Sequence, residues 1–299
     1  MKFKHFDFLF LFIFLTFATN LLAGWLIVEK REDKFGNLTM QSVFIQDQKL
    51  RVENQTSSFI FDLENEYVTV IFPKMSVYWS GKPDSLKTAL FNTIETQIVI
   101  MIQQMPERDR IEAEADFQKV LNEMKVGVTD SSLPDNAKLL AIDSSMKIVD
   151  YQAEKYLFVL DSITLEEFWI THEVLPYKDL NLVKLNEMMR VFSRPSMLSV
   201  YRESKEWLEI ISKGLVLRSV IPTTLGKSEM EVITVRKAEI PIDFFDPPPT
   251  YRGIGIDEVI SIMMGEDDVI KTPDAYNSAR PELFNKTNSA ITPTKPGPY

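Results

Sequence analysis

Between residues 24 and 81 the chain reverses direction every few residues, and this spacing restricts the fold more than any other feature of the sequence. An apolar run at 25–28 ends in the charges of 29–33, and Gly36-Asn37 reads as a turn. Leu38, Met40 and Phe44 then share one strand face, and Val43 and Ile45 the other. After Asp47-Gln48, residues 49–53 alternate strictly. Phe59, Phe61 and Leu63 line one face of the next strand; residues 67–72 are β-rich up to Pro73, and Met75, Val77 and Trp79 follow on a common face. Six strands in under 60 residues, each a few residues from the next, must pair as antiparallel neighbours, because a parallel crossover needs a connection of about a dozen residues or more.

The periodicity changes at Pro83. Leu86, Leu90, Ile94, Ile98, Met101 and Met105 recur at helical spacing behind the start signal Asp84-Ser85. Pro106 opens a second helix with a thinner stripe (Ile111, Ala115, Phe117, Leu121, Met124) and an acidic face bearing Glu112, Glu114 and Asp116. After a polar loop at 127–136, strands are expected at 138–142 and 147–149, then a hairpin of 154–160 and 165–172 about Asp161-Ser162. Asp179 is the expected cap of a helix carrying Leu182, Leu185, Met189 and Phe192, broken at 193–195, and a further helix covers 198–212. Residues 215–221 and 229–236 form a last hairpin, and the sheet is expected to end at Pro247-Pro248-Pro249. Residues 256–264 read as a short apolar helix. The stretch 271–299, rich in Pro, Asn, Thr and Lys, holds too few apolar residues to offset ordering entropy and reads as disordered.

The start of the chain sets the expected compartment. Lys2, Lys4 and His5 precede an apolar run at 8–17, shorter than the roughly 20 residues a spanning helix needs and matched to the core of a signal peptide. Cleavage is expected near Ala23, an uncleaved anchor being the alternative. With no cysteine in the chain, the mature end cannot be lipid-modified on Cys, and disulfides, thiolate zinc sites, iron–sulfur ligation and cysteine nucleophiles are excluded. The expected location is the periplasm or the secreted fraction. A formal charge of −10 argues against nucleic acid, whose binding relies on a basic surface.

Several segments, taken in order, resemble one family. The strand Lys49-Leu50-Arg51-Val52-Glu53, the acidic turn in Phe61-Asp62-Leu63-Glu64-Asn65-Glu66 and the stretch Pro73-Lys74-Met75-Ser76-Val77-Tyr78 are similar to segments of the LolA/LolB-like lipoprotein carriers. So are the hairpin Ile148-Val149-Asp150-Tyr151-Gln152-Ala153-Glu154-Lys155-Tyr156, the strand Glu167-Phe168-Trp169-Ile170-Thr171 and the closing Ile242-Asp243-Phe244-Phe245-Asp246-Pro247. The hairpin most resembles a LolA-like family of unknown function. The resemblance implies an α+β fold: a strongly curved antiparallel sheet, an open half-barrel, with helices on its concave side. It implies a cavity for acyl chains, and Arg51 stands where the carriers hold a lid shut. The helical stretch 84–125 is long for that family, and the tail is extra. The resulting division is a signal peptide at 1–23, a half-barrel domain at 24–252, a helical extension at 253–270 and a tail at 271–299.

No catalytic constellation emerges. His172-Glu173 begins a zinc-protease pattern, but Pro176 stands where its second histidine belongs. No glycine-flanked serine elbow occurs, and Glu166-Glu167, successive on a strand, face opposite sides. Asn37-Leu38-Thr39, Asn54-Gln55-Thr56 and Asn285-Lys286-Thr287 are glycan sequons at a frequency that chance explains. No enzyme activity, metal or cofactor is expected. What stands out is apolar bulk on both faces of several strands, as at 67–72, which must be covered twice or left to hold a ligand. The expected cavity lining is Phe59, Phe61, Met75, Val77, Trp79, Ile94, Ile98, Met101, Phe158, Leu160 and Trp169, and a lipid or an acylated protein is the expected occupant. The competing reading is a filled core in a non-catalytic periplasmic scaffold that binds a protein partner through the acidic helix at 107–123 and the tail. Neither reading leaves stable membrane insertion after signal cleavage.

Overall fold

Short turns make sequential strands pair, and the chain builds one open sheet from two such runs. The structure is a computed structural model describing residues 23–126, 133–192 and 197–265. The expected signal peptide (Ala23 apart), most of the loop at 127–136, the helix break at 193–195 and the tail at 271–299 lie outside the described residues. The chain divides into two compact units, Met1–Gly253 and Ile254–Tyr299.

In the first unit the strands are β1 (Ala23–Glu32), β2 (Leu38–Gln46), β3 (Lys49–Glu53), β4 (Ser58–Asp62), β5 (Tyr67–Phe72), β6 (Val77–Gly81), β7 (Ala137–Ile148), β8 (Tyr151–Leu160), β9 (Ile163–Thr171), β10 (Leu215–Thr223), β11 (Gly226–Glu239) and β12 (Arg252–Gly253). They form one twelve-stranded sheet in the order β12-β6-β5-β4-β3-β2-β1-β11-β10-β9-β8-β7. Helices α1 (Pro83–Gln103) and α2 (Glu107–Val126) separate the two runs, and α3 (Leu182–Met189), α4 (Met197–Glu203) and α5 (Lys205–Ser212) lie between β9 and β10. The second unit holds one described helix, α6 (Ile256–Met263), in which Val259 and Ile260 are buried.

This corrects the expected half-barrel. The run β1–β6 and the run β7–β11 join side by side through the antiparallel pairing of β1 with β11, so the second run widens the sheet instead of closing it. No described pairing joins the edges β12 and β7, and the sheet is neither closed nor strongly curled. It is also mixed, not purely antiparallel, because β12 returns parallel to β6, with Arg252 opposite Val77; the sheet therefore does not end at the prolines.

The pleat sorts the core. One row of register partners runs Ile27, Val43, Val52, Phe59, Val70, Trp79 from β1 to β6. A row on the other face runs Leu26, Phe44, Arg51, Ile60, Thr69, Ser80. Both faces are covered from within the chain. The 3-10 turn Arg190–Phe192 sets the Phe192 ring edge-on against Phe59 and Phe61, with centroids 5.1 and 6.0 Å away. On the opposite face, the turn Ile242–Phe245 supplies Phe245 to a cluster with Ile60, Ile71 and Ile240. The Trp79 indole lies over Gly81, where a Cβ would stand 2.3 Å from its Cζ2; glycine alone leaves the ring that seat.

Local chemistry moves some expected boundaries. The helix after Asp179 is capped by Asn181, whose side chain accepts from the Lys184 N–H. The helix expected at 198–212 is two helices, because Ser204 takes extended backbone and its hydroxyl accepts from the Trp207 N–H as an N-cap. The two strands expected at 138–142 and 147–149 are one strand, β7, irregular between Ile142 and Ser145.

Candidate functional site

The residues expected to line a cavity do not share one space. Phe61, Val77 and Trp79 are buried, and Phe59 and Phe61 meet Phe192. Met75 leaves the strand altogether: it sits 43 % exposed in the 3-10 turn Pro73–Met75. Phe158 is fully buried in the other half of the sheet, stacked on Tyr201 at 3.9 Å between centroids. Leu160 is half-buried at the end of β8. Trp169 belongs to the opposite face from Phe158, because its partner Lys155 alternates away from that residue; Lys155 and Arg218 approach its ring at 5.0 and 5.1 Å. Ile94 and Ile98 are half-buried on α1, and Met101 is exposed.

Two surface hollows contain none of these residues. One, of about 260 Å³, is lined by Glu66, Lys82, Pro83, Asp84, Lys184, Glu187 and Met188. The other, of about 480 Å³, lies at the β7 irregularity between Ala141 and Ser145, beside Glu154 and Lys155. Both are walled by charged side chains, unlike a site for acyl chains. The ligand-carrier reading is therefore corrected: aromatic rings fill the room that it required. Arg51 is placed on the face opposite Phe59. Its guanidinium lies 4.2 Å from the Phe244 ring centroid and donates to the Phe244 carbonyl and to Glu53, so it ties down the turn Ile242–Phe245.

A buried polar group that sequence reasoning missed lies under α4. Glu166 is 1 % exposed; its Oε1 accepts from Ser219 and from Arg202, the latter at 2.9 Å, while Oε2 has no partner. The neighbouring Tyr201 hydroxyl is buried and also without one. Burial, with a smaller contribution from the Glu166 charge, pushes the Tyr201 phenol far above its ordinary range. The missed signal was the parity of Glu166 with Phe168 and Ile170, both inward. Arg190 pairs with Glu203 at 2.8 Å, so two ion pairs hold the α3–α4 region. The Glu166 carboxylate and the Tyr201 hydroxyl are closed to solvent while Arg190 and Arg202 reach it, and the cluster reads as structure.

His172 is exposed, and its Nδ1 lies 2.8 Å from the Lys213 carbonyl oxygen. Among the described residues no group of three or more His, Asp or Glu side chains could hold a metal ion. At two sequons the side chains serve turns: Asn37 donates to Asp33, and Asn54 accepts from the Thr56 and Ser57 N–H groups.

Among the described residues, the α1–α2 hairpin carries a run of exposed apolar side chains. α1 runs 21 residues, about 30 Å, from a start with Pro in its first turn to a corner at Pro106. Arg110 closes that corner by donating to the carbonyls of Gln103 and Met105, at 3.1 and 3.2 Å, where a cation also suits the C-terminal end of the helix dipole. α1 packs against α2 and the Arg190–Phe192 turn. Toward the corner it is apolar all round: Ile102 is buried and Ile98 half-buried, yet Val99, Ile100 and Met101 are 42, 37 and 40 % exposed. Across the corner Ile111 is 76 % exposed. Glu107, Asp109, Glu112, Glu114 and Asp116 are all exposed on α2. Among the described residues no helix is long and apolar enough to cross a membrane.

No family model and no curated protein matches the chain; the carrier resemblance gains no support from either comparison. Several solved structures are distantly similar, three of them as follows. PNGF-II aligns at a TM-score of 0.33 and 14 % identity over 83 % of this chain, and the chain spans 33 % of that protein's length. An uncharacterised conserved protein from Thermus thermophilus aligns at 0.37 and 8 %, over 82 % of this chain and 98 % of its own. MucB, solved in complex with MucA(peri), aligns at 0.35 and 7 %, over 79 % and 60 %. At TM-scores below 0.5 these likenesses identify neither a fold nor an activity.

Proposed function

We propose that this chain is an exported, non-catalytic interaction protein, a scaffold with a filled core that offers the α1–α2 hairpin to a protein partner. One observation carries the reading: α1 is apolar on every side near its corner, a composition that belongs inside an interface, while Val99, Ile100 and Met101 stand in water. The filled sheet supports it, since aromatic rings occupy the space that a carrier would keep open. The apolar run at 8–17, the small residues at its end and the absence of cysteine support export without lipidation.

Site-specific photo-crosslinking tests this in the cells that make the protein. A benzophenone amino acid at Val99 is expected to give a discrete protein adduct, and the same group at the exposed Ile163 none. Absence of any adduct at Val99, with the protein exported and folded, overturns the proposal.

A further inference from the structure

The chemistry of the hairpin corner indicates what kind of segment it receives, an inference that rests on the interaction reading above. Val99, Ile100, Met101 and Ile111 are exposed apolar residues at the tip of the hairpin. The same corner exposes Glu107, Asp109 and Glu112 within the first two turns of α2. Of the two arginines beside them, Arg110 is turned back onto the carbonyls of Gln103 and Met105 and Arg108 alone remains exposed among these carboxylates. The exposed rim of this tip thus carries three carboxylates against one cation. An apolar strip on the partner is needed to cover the tip, and cations on either side of it are needed to meet the rim. A helix with one apolar face and lysines or arginines flanking it supplies both. An anionic lipid surface supplies the first and opposes the second, because its headgroups repel the carboxylates. A second copy of this corner brings the same rim and is repelled in the same way.

We infer that the α1–α2 corner binds a basic amphipathic helix of a partner protein, its apolar face on Val99, Ile100 and Ile111 and its cations on Glu107 and Glu112.

The test titrates the full mature chain with fluorescent peptides of about 18 residues, five helical turns: one of leucine and lysine, one with glutamate for every lysine, and one with serine for every leucine. The leucine–lysine peptide is expected to saturate and to bind at least about ten-fold tighter, a difference of roughly 1.4 kcal/mol, than either of the others. E107K/E112K is expected to weaken it about ten-fold, while the control reversal E64K/E206K leaves it unchanged; V99S/I100S is expected to abolish saturation with the circular dichroism unaltered. Equal binding of the leucine–glutamate peptide, or equal loss in E64K/E206K and E107K/E112K, overturns the inference. So does binding to phosphatidylglycerol vesicles that V99S/I100S removes. The two readings fail separately: a Val99 adduct in cells together with indifference to peptide charge removes the basic helix and keeps the interface, whereas loss of the adduct removes both.

Discussion

Glu166 shows how a single side chain holds α4 on the sheet. Its buried carboxylate leans on Arg202, whose side chain is partly open to water, and on the Ser219 hydroxyl. Removing Arg202 strands a buried charge, a loss that typically costs about 3–5 kcal/mol. Urea unfolding of Arg202→Ala is therefore expected to show a loss at the low end of that range, and Arg202→Ala in a Glu166→Leu background a much smaller one. The Tyr201 hydroxyl works the other way. It is buried without a partner, so Tyr201→Phe is expected to stabilise the protein by about 1 kcal/mol, the desolvation penalty no longer incurred; destabilisation by that substitution contradicts the placement of the hydroxyl.

The helical elements divide into those that fill the protein and those that face outward. Phe192 fills: it meets Phe59 and Phe61 edge-on, and Phe192→Ala is expected to cost about 3 kcal/mol by the cavity it leaves. The α1 corner faces outward, so Ile100→Ser is expected to leave stability within about 0.5 kcal/mol, as exposed substitutions do. Parallel thermal melts of the two variants measure the contrast, and comparable losses in both contradict it. At this scale the sequence was readable wherever a local rule acts alone. The turns at Asp47 and Asp161 and the strands they join follow from alternation and turn chemistry. Helix ends were harder: Asn181 and Ser204 out-compete nearby candidates only because their side chains reach the Lys184 and Trp207 N–H groups. Met75 misled because period-two counting cannot see the 3-10 turn forced by Pro73.

For the molecule as a whole, the doubled apolar rows at 67–72 say correctly that the sheet needs two covers and cannot say what provides them. The covers come from Phe192 and Phe245, far downstream in chain order, a pairing no local pattern encodes. The same non-locality hid the join of β1 to β11, which decides between an open sheet and a closing one. Two halves of the expected cavity list, around Phe59 and Phe158, therefore ended in separate clusters. The α1–α2 hairpin was legible as two helices, but its uncovered tip was not, since exposure is a property of what fails to pack.

Amide hydrogen exchange on the isolated mature protein tests the central claim most directly, because it reads the filled sheet and the bare hairpin in one experiment. Strands β4, β8 and β9 are expected to exchange only through global unfolding, and residues 96–103 of α1 to exchange far faster. Protection of 96–103 equal to that of the strands, or rapid exchange at Phe61 and Phe158, contradicts the account.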